Sequence, residues 1–458
     1  MNRPTLAVGL GVLVSAGTAF AATTGSEFEL QPATTAEPAA ASPDSAEPVQ
    51  MTAEVRQMIA DEVEAAVSRS GSWSATRGFG IMTDDEGNEM RIGARVDLDA
   101  NFIGNDTTAG TDDTIGFRRS RIMLEGMAYG TVGYRAVVDF NGPSGGTEFA
   151  DLYMTLDNFL VGSLKAGQFF EPFGLEANTY SENISQQERS GATQLIAPGR
   201  GIGLMVHDFV EDSNFGWAVG LFSAEGNNTI NLGGLTGLEV DAITGTVSGG
   251  STGIGDQNIE GNWAVTARAT WAPMMSEDGS EVLHLGASFS TRGTDNVLID
   301  ATGIGGNADI TADDDTRFGV EAAYVAGPMS FQAEYMQTAW GLDDAGTEFD
   351  TDLTGLYVQG AYMITGETRS YSRGTFGGVT PNSDWNGFGG GGSGALEASV
   401  RWSTTELDVE GASSDFDVID VGLNWYMNQN TRFMAGVSLI DTDGDDSEAL
   451  NFRWQLIV

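Results

Sequence analysis

The chain has 458 residues, 63 Gly, no Cys, two His and a formal net charge of −44; Lys165 is its only Lys. That acidity excludes a nucleic-acid binder, which needs a basic footprint. Without Cys there is no disulfide framework, and with so few His there is no transition-metal ligand set.

Residues 1–22 read as a secretory signal: a short region with Arg3, an apolar run from Leu6 to Val14, and the small-residue site Ala19-Phe20-Ala21. The apolar run is too short for a membrane-spanning helix, which takes about 20 residues, and no later stretch is long and apolar enough. Residues 23–50 are rich in Ala, Thr, Pro and Glu and are expected to be a disordered linker. Residues 51–69 predict the one amphipathic helix, with Val55, Met58, Ile59, Val63, Ala66 and Val67 on one face. A lone helix of that length is marginal in water. Its face is therefore expected to meet a partner, as a short periplasmic coiled coil or docked on the rest of the chain, or else to stay disordered.

From Arg91 the hydrophobic period becomes two. Ile92, Ala94, Val96, Leu98, Ala100 and Phe102 share one face; Arg91, Gly93, Arg95, Asp97, Asp99 and Asn101 share the other. Long strands with one apolar and one polar face are the pattern of an outer-membrane barrel, apolar to lipid and polar to lumen. Sixteen such segments follow, at about 91–103, 117–127, 132–140, 148–157, 162–169, 201–209, 215–223, 262–272, 281–292, 316–325, 329–339, 353–364, 395–407, 416–427, 431–440 and 449–458. The expected fold is all-β: a closed 16-stranded antiparallel transmembrane barrel over residues 90–458, because an open edge in hydrocarbon would leave unpaired backbone groups. Short turns alternate with longer outer loops, as barrels require. The Gly- and Ser-rich connection 365–394 breaks the alternation, and nothing in the sequence accounts for its length. The other long polar connection, 170–200, is expected to fold into the barrel mouth as a constriction.

The charges sort by place. Acids gather in expected outer loops: Asp309, Asp313, Asp314 and Asp315; Asp343, Asp344, Glu348, Asp350 and Asp352; Asp441, Asp443, Asp445, Asp446 and Glu448. Such groups are either solvated loop charge or sites for Ca²⁺ or Mg²⁺ bridging to lipopolysaccharide; no other cofactor is implied. Cations go to the lumen: Arg91, Arg95, Arg119, Arg121, Arg135, Lys165, Arg268, Arg292, Arg317, Arg401, Arg432 and Arg453 all have lumen parity. Arg118 alone has lipid parity and is expected to snorkel from a strand end. A lipid-facing charge at the midplane costs about 2–4 kcal/mol, which explains the parity without any transport role. The lumen also has acids, so its Arg residues form either an anion-attracting ladder or a neutral Arg–carboxylate wall.

Several blocks resemble one family, the phosphate-selective porins O and P. Phe117-Arg-Arg-Ser-Arg121 is similar to its FRRA(R) strand start. Gly167-Gln-Phe-Phe-Glu-Pro-Phe-Gly-Leu-Glu176 is similar to its G-(Q/R)-F-x-x-x-F-(S/G)-L-E block, and Glu188-Arg189 with residues 197–203 to its loop return. Tyr357 to Glu367, residues 394–401 and residues 422–426 match the last third. The resemblance implies a homotrimer of pores in the Gram-negative outer membrane, passing phosphate or other small hydrophilic anions through an Arg-lined lumen. It also implies a constriction at the third outer loop, here carrying Glu171, Glu176, Glu188, Arg189 and Arg200, with loop lysines as the anion site. This chain has none there: residues 178–188 read NTYSENISQQE. The residues therefore leave anion preference, weak selectivity and cation preference open. A barrel enzyme finds no Ser nucleophile on a recognisable strand-to-helix elbow and no positioned base. A structural role for the acidic loops and the N-terminal segment is compatible with a pore.

Overall fold

The computed structural model describes residues 72–74, 78–82, 87–104, 113–141, 146–223, 230–231, 263–300, 309–344, 347–409, 412–442 and 445–458. The expected signal, linker and helix of residues 1–69 lie outside the described residues. No described helix is long and apolar enough to cross a membrane; the chain crosses with strands.

Sixteen strands close into one antiparallel barrel. They are β1 Glu89–Gly104, β2 Thr114–Ala128, β3 Val132–Asp139, β4 Glu148–Phe159, β5 Gly162–Phe170, β6 Arg200–Val210, β7 Phe215–Ser223 and β8 Trp263–Met275. The second half holds β9 Glu281–Asp300, β10 Asp309–Ala326, β11 Met329–Asp344, β12 Thr347–Met363, β13 Ala395–Val409, β14 Ala412–Asn428, β15 Thr431–Thr442 and β16 Asp445–Ile457. β16 returns to β1, pairing Arg453 with Asp99 and Leu456 with Val96. Val458 and Ala94 exchange backbone bonds of 2.8 and 2.9 Å at the end of this seam. Gly78–Met82 pairs with residues 89–92 of β1. It covers β1's edge below Arg95, where β16 ends, so the seam leaves no bare strand edge there.

The pleat sorts the side chains. On β1, Ile92, Val96, Leu98 and Phe102 are exposed on the outer face, while Arg95, Asp97, Asp99 and Asn101 are buried inside. Arg118 departs from simple parity. β2 carries an extra residue here, because Asp97 faces Arg119 while Leu98 faces Phe117. This β-bulge takes Arg118 out of the alternation. Its Nε lies 3.2 Å from Glu188 Oε1, so it points inward and does not snorkel to lipid.

Three outer connections are shorter than the sequence suggests. The expected loop 293–315 is mostly strand, with the ladder running from Gly293↔Asp314 to Asp300↔Asp309. The hairpins at 340–352 and 441–448 are likewise extended, to Asp344↔Thr347 and Thr442↔Asp445. Backbone pairing persists beyond the apolar band because each ladder bond still satisfies two polar groups. These acids therefore stand largely on strand extensions.

Two segments fill the barrel. The third outer loop, 171–199, carries α1 Leu175–Asn178 and α2 Gly191–Ile196. Gly174, before α1, has φ 74, and a Cβ there would meet Glu334 Oε2 at 2.8 Å. That Glu334 carboxylate, from β11, accepts the N–H groups of Leu175 at 2.7 Å and Glu176 at 2.6 Å. Two orphan donors of the first turn are thereby satisfied from the barrel wall. Ser190 caps α2 by accepting the Thr193 N–H at 3.1 Å. α2 lies so close to β12 that a Cβ on Gly355 would meet the Ala192 Cβ at 2.5 Å.

The second filling comes from the opposite end. The connection 364–394 turns back into the lumen and forms a small hairpin, Tyr371–Ser372 with Thr375–Phe376. Tyr371 and Phe376 pack with Leu175 of the outer loop and with Ala272, Val282, Ala323 and Val325 of the wall. Its length is thus explained by the volume it fills.

Candidate functional site

The loop 171–199 divides the lumen into two unlike walls. Along β9–β16, β1 and the start of β2 it is sealed by ion pairs. Glu171 accepts from Arg292 at 2.8 Å and from the Thr266 hydroxyl at 2.5 Å. Glu176 accepts from Arg401 at 3.0 Å. Glu188 meets Arg453 at 2.5 Å and both Arg118 and Arg119 at 3.2 Å. Arg95 holds Glu182 at 2.6 Å and Ser181 at 2.8 Å. Arg317, paired with Asp315, donates to the Ile196 carbonyl at 2.8 Å.

The wall cations here also have wall acids: Arg95 with Asp97 at 2.7 Å, Arg401 with Asp420 at 2.7 Å, Arg453 with Asp99 at 2.6 Å. Arg95, Arg119 and Arg401, expected to line the pore, are instead covered by the loop. Glu171, Glu176 and Glu188 turn toward the wall and neutralise guanidiniums there, while the loop's fourth glutamate, Glu182, pairs with Arg95 and stays 24% exposed. Burial alone would raise the Glu188 carboxyl, but Arg118, Arg119 and Arg453 overcome it and hold its pKa well below the ordinary carboxylate value.

Strands β2–β6 make the other wall, and the loop leaves it open. Arg121 is 15% exposed, Arg135 16% and Arg200 23%, against 2–5% for Arg95, Arg119 and Arg401. Arg121 pairs with Asp139 at 2.6 Å, Arg135 with Glu125 and with Asp151 at 3.6 Å, and Arg200 with Asp151 at 2.7 Å. Counting Lys165, four cations stand here beside three ion-paired carboxylates, and Asp157 and Asp208 also line the cavity next to Lys165. Lys165 has no carboxylate within ion-pair distance among the described residues; its Nζ lies 3.9 Å from the Tyr153 ring and 4.5 Å from the Phe169 ring. Arg200 stacks on Phe170 at 3.9 Å, and Arg135 lies over Tyr180 at 5.3 Å. Such cation–π contacts hold a charge in place while leaving its outer side free for an anion. A cavity of about 840 Å³ opens beside Lys165, Tyr153, Tyr180, Phe170, His207 and Arg268.

Arg189 is half-buried and donates to the carbonyls of Glu176, Ala177 and Thr179 at 2.8–3.3 Å. It has no carboxylate within ion-pair distance among the described residues, and burial pushes its pKa down to about 10, with Glu176 opposing. Arg91 pairs with Glu89 at the turn end of β1. Arg268 pairs with Glu321 at 2.5 Å and donates to the Gly374 carbonyl at 2.8 Å, joining the wall to the second filling. His284, buried, lies 2.6 Å from the Tyr371 hydroxyl and 2.9 Å from Glu321.

The lower filling is a part of the site that strand periodicity does not mark. Arg369 donates to Gln332 Oε1 and the Asn183 carbonyl at 2.9 Å and lies 3.8 Å over Phe376, so it bridges wall, hairpin and outer loop. The available signal was an Arg, a Tyr and a Phe spaced through an otherwise Gly- and Ser-rich stretch. Tyr153 and Tyr180 carry no sequence signal either, since aromatic lumen residues do not stand out from strand patterning. Of the acids weighed as metal ligands, Asp315 lies inside, on Arg317; among the described residues no three His, Asp or Glu converge on a metal position.

The profile of the family described as phosphate-selective porin O and P matches residues 90–452. Porin O of Pseudomonas aeruginosa is 26% identical over 81% of this chain and 88% of its own length. Among solved structures, the trimer form of OmpT, an outer-membrane protein of Vibrio cholerae, has a TM-score of 0.50 at 12% identity, covering 81% of this chain and all of that one. The outer-membrane channel DcaP of Acinetobacter baumannii has a TM-score of 0.50 at 15% identity, covering 83% and 99%. At such identities the structural likeness speaks for the barrel fold.

Proposed function

We propose that this chain, which belongs to the phosphate-selective porin O and P family and is a Gram-negative outer-membrane porin, prefers small hydrophilic anions and passes them between loop 171–199 and strands β2–β6. The observation that carries this reading is the contrast between the two walls. Arg95, Arg119 and Arg401 under the loop are sealed and neutralised, whereas Arg121, Arg135, Lys165 and Arg200 remain half-buried on the open wall and outnumber the carboxylates that pair with them by one. In a narrow, low-dielectric passage even a small surplus is focused onto a passing ion. Arg189 adds to it. The overall charge of −44 does not decide the matter, since many of its acids stand on the outer strand extensions, where salt screens charge over about 10 Å. Family membership and the curated Porin O relative support the reading.

No step requires a cofactor or a catalytic group. Three barrels side by side would conduct independently; a homotrimer is the expected assembly, checked by light scattering in detergent.

The test is the reversal potential of the purified protein in a planar bilayer under a KCl gradient, with and without phosphate. An anion-signed potential supports the proposal. A cation-signed potential overturns it in favour of a weakly cation-preferring general porin. Block of chloride conductance by millimolar phosphate would extend it to phosphate itself, despite the lysine-free loop.

A further inference from the structure

The connection 364–394 leaves the lumen after Val379, which is buried with Met363, Ala395 and Tyr426. The chain then passes over the periplasmic rim to residues 384–394, DWNGFGGGGSG. Two bonds tie this stretch to the end of β14. The Trp385 N–H donates to the Met427 carbonyl at 2.7 Å, and the Trp425 indole N–H donates to the Ser393 carbonyl at 2.9 Å.

Trp425 belongs to the lipid-facing set. Its neighbours Asn424 and Tyr426 are buried inside, and the ladder places it beside Leu396 and Phe433 on the outer face. The Trp385 ring stands edge-on to Trp425 at 5.2 Å, and Phe388 edge-on to Trp385 at 5.7 Å. Phe388 is fully exposed, at 100%. Three rings thus run from the barrel's lipid face to the tip of a glycine loop.

Aromatic side chains with one wet and one apolar side concentrate at the boundary between headgroups and acyl chains. The stretch 384–394 has one acid, Asp384, and no cation, so anionic headgroups would gain nothing from it. Its glycines present bare peptide groups, which forbids the hydrocarbon core but suits the hydrated interface. A protein partner is a poorer fit, because a few rings fall far short of the roughly 1,200 Å² of a stable interface.

We propose that residues 384–394 form a foot seated in the glycerophospholipid interface of the periplasmic leaflet, with Phe388 as its inserted tip and Trp385 and Trp425 joining it to the barrel's aromatic belt. The foot widens the membrane contact of one sector of the barrel, beside β13–β14. It is independent of what the pore conducts.

The absence of Cys makes the test direct. Full-length protein carrying Phe388→Cys is labelled with a nitrobenzoxadiazole fluorophore and reconstituted in phosphatidylethanolamine–phosphatidylglycerol vesicles. Glu277→Cys, exposed in the turn 276–280 at the same end, is the reference. Heat-modifiable gel mobility checks that both variants fold. Lipids spin-labelled near the headgroup should quench the label at 388 about three-fold more than at 277, with aqueous iodide showing the reverse order. Equal quenching at both positions would overturn the proposal. Shielding of 388 from both quenchers would also overturn it, assigning the foot to a second copy or to another segment of the chain.

Discussion

Glu188, in the third outer loop, lies 2.5 Å from Arg453 on the last strand, and the same carboxylate reaches Arg118 and Arg119 on the second. Removing that charge leaves the buried Arg119 and Arg453 and the half-buried Arg118 with less opposing charge, although Asp97 still pairs with Arg119 and Asp99 with Arg453. Breaking a buried pair from one side costs about 3–5 kcal/mol. Glu188→Gln is therefore expected to unfold the barrel at a lower temperature in heat-modifiable electrophoresis and to give noisier single channels. Steady channels with unchanged mobility would show that the seal does not depend on this residue.

Lys165 and Arg95 separate conduction from stability. Lys165→Glu places a second acid near Asp151 on the open wall, and the anion-to-cation permeability ratio should fall by about three- to ten-fold. Arg95→Gln removes a cation that is 2% exposed and already paired. It should leave the ratio nearly unchanged while lowering stability. If the two substitutions shift the reversal potential equally, the two-wall description fails.

The lower filling should set part of the conductance. Arg369→Ala combined with Tyr371→Ala removes the contacts to Gln332, Asn183 and His284. A loosened hairpin should raise single-channel conductance, up to about two-fold, at constant ion selectivity. No change in conductance would mean that the hairpin stays seated through Phe376 and the Arg268 bond to Gly374.

The loop seal should outlast mild acid. A folded carboxyl held below its unfolded value of about 4.3 adds stability that is complete above that pH. The contribution fades as pH falls toward the depressed folded value. Glu188 is such a group, so channel noise should stay flat from neutral pH to about 5 and rise only below about 4. A rise in noise near pH 6 would point to a histidine instead.

The alternation at Ile92 to Phe102, repeated along the chain, was enough to read the barrel, its strand number and its closure. Local chemistry was enough there because hydrocarbon on one side and water or protein on the other leave a strand no second choice of face. Arg118 escaped that logic because a single inserted residue reverses parity, and nothing in Phe117-Arg118-Arg119 marks which residue is the extra one. The sealed wall escaped it for a different reason. Parity puts Arg95 and Arg121 on the same lumen side, and only the path of loop 171–199 separates them. Glu176 and Arg401, and Asn183 and Arg369, are partners far apart in sequence. Such pairings are set by how the fillings lie in the closed barrel, which strand periodicity does not encode.

The Glu188 contacts also bear on the order in which the channel can be assembled. They draw together residues of the second strand and the sixteenth, on either side of the seam where the barrel closes on β1. The Arg453 contact can form only when the last strand has met the first. An incompletely inserted chain therefore has no finished eyelet, and its loop remains unlatched. A loop latched on Arg453 thus certifies a shut wall around it.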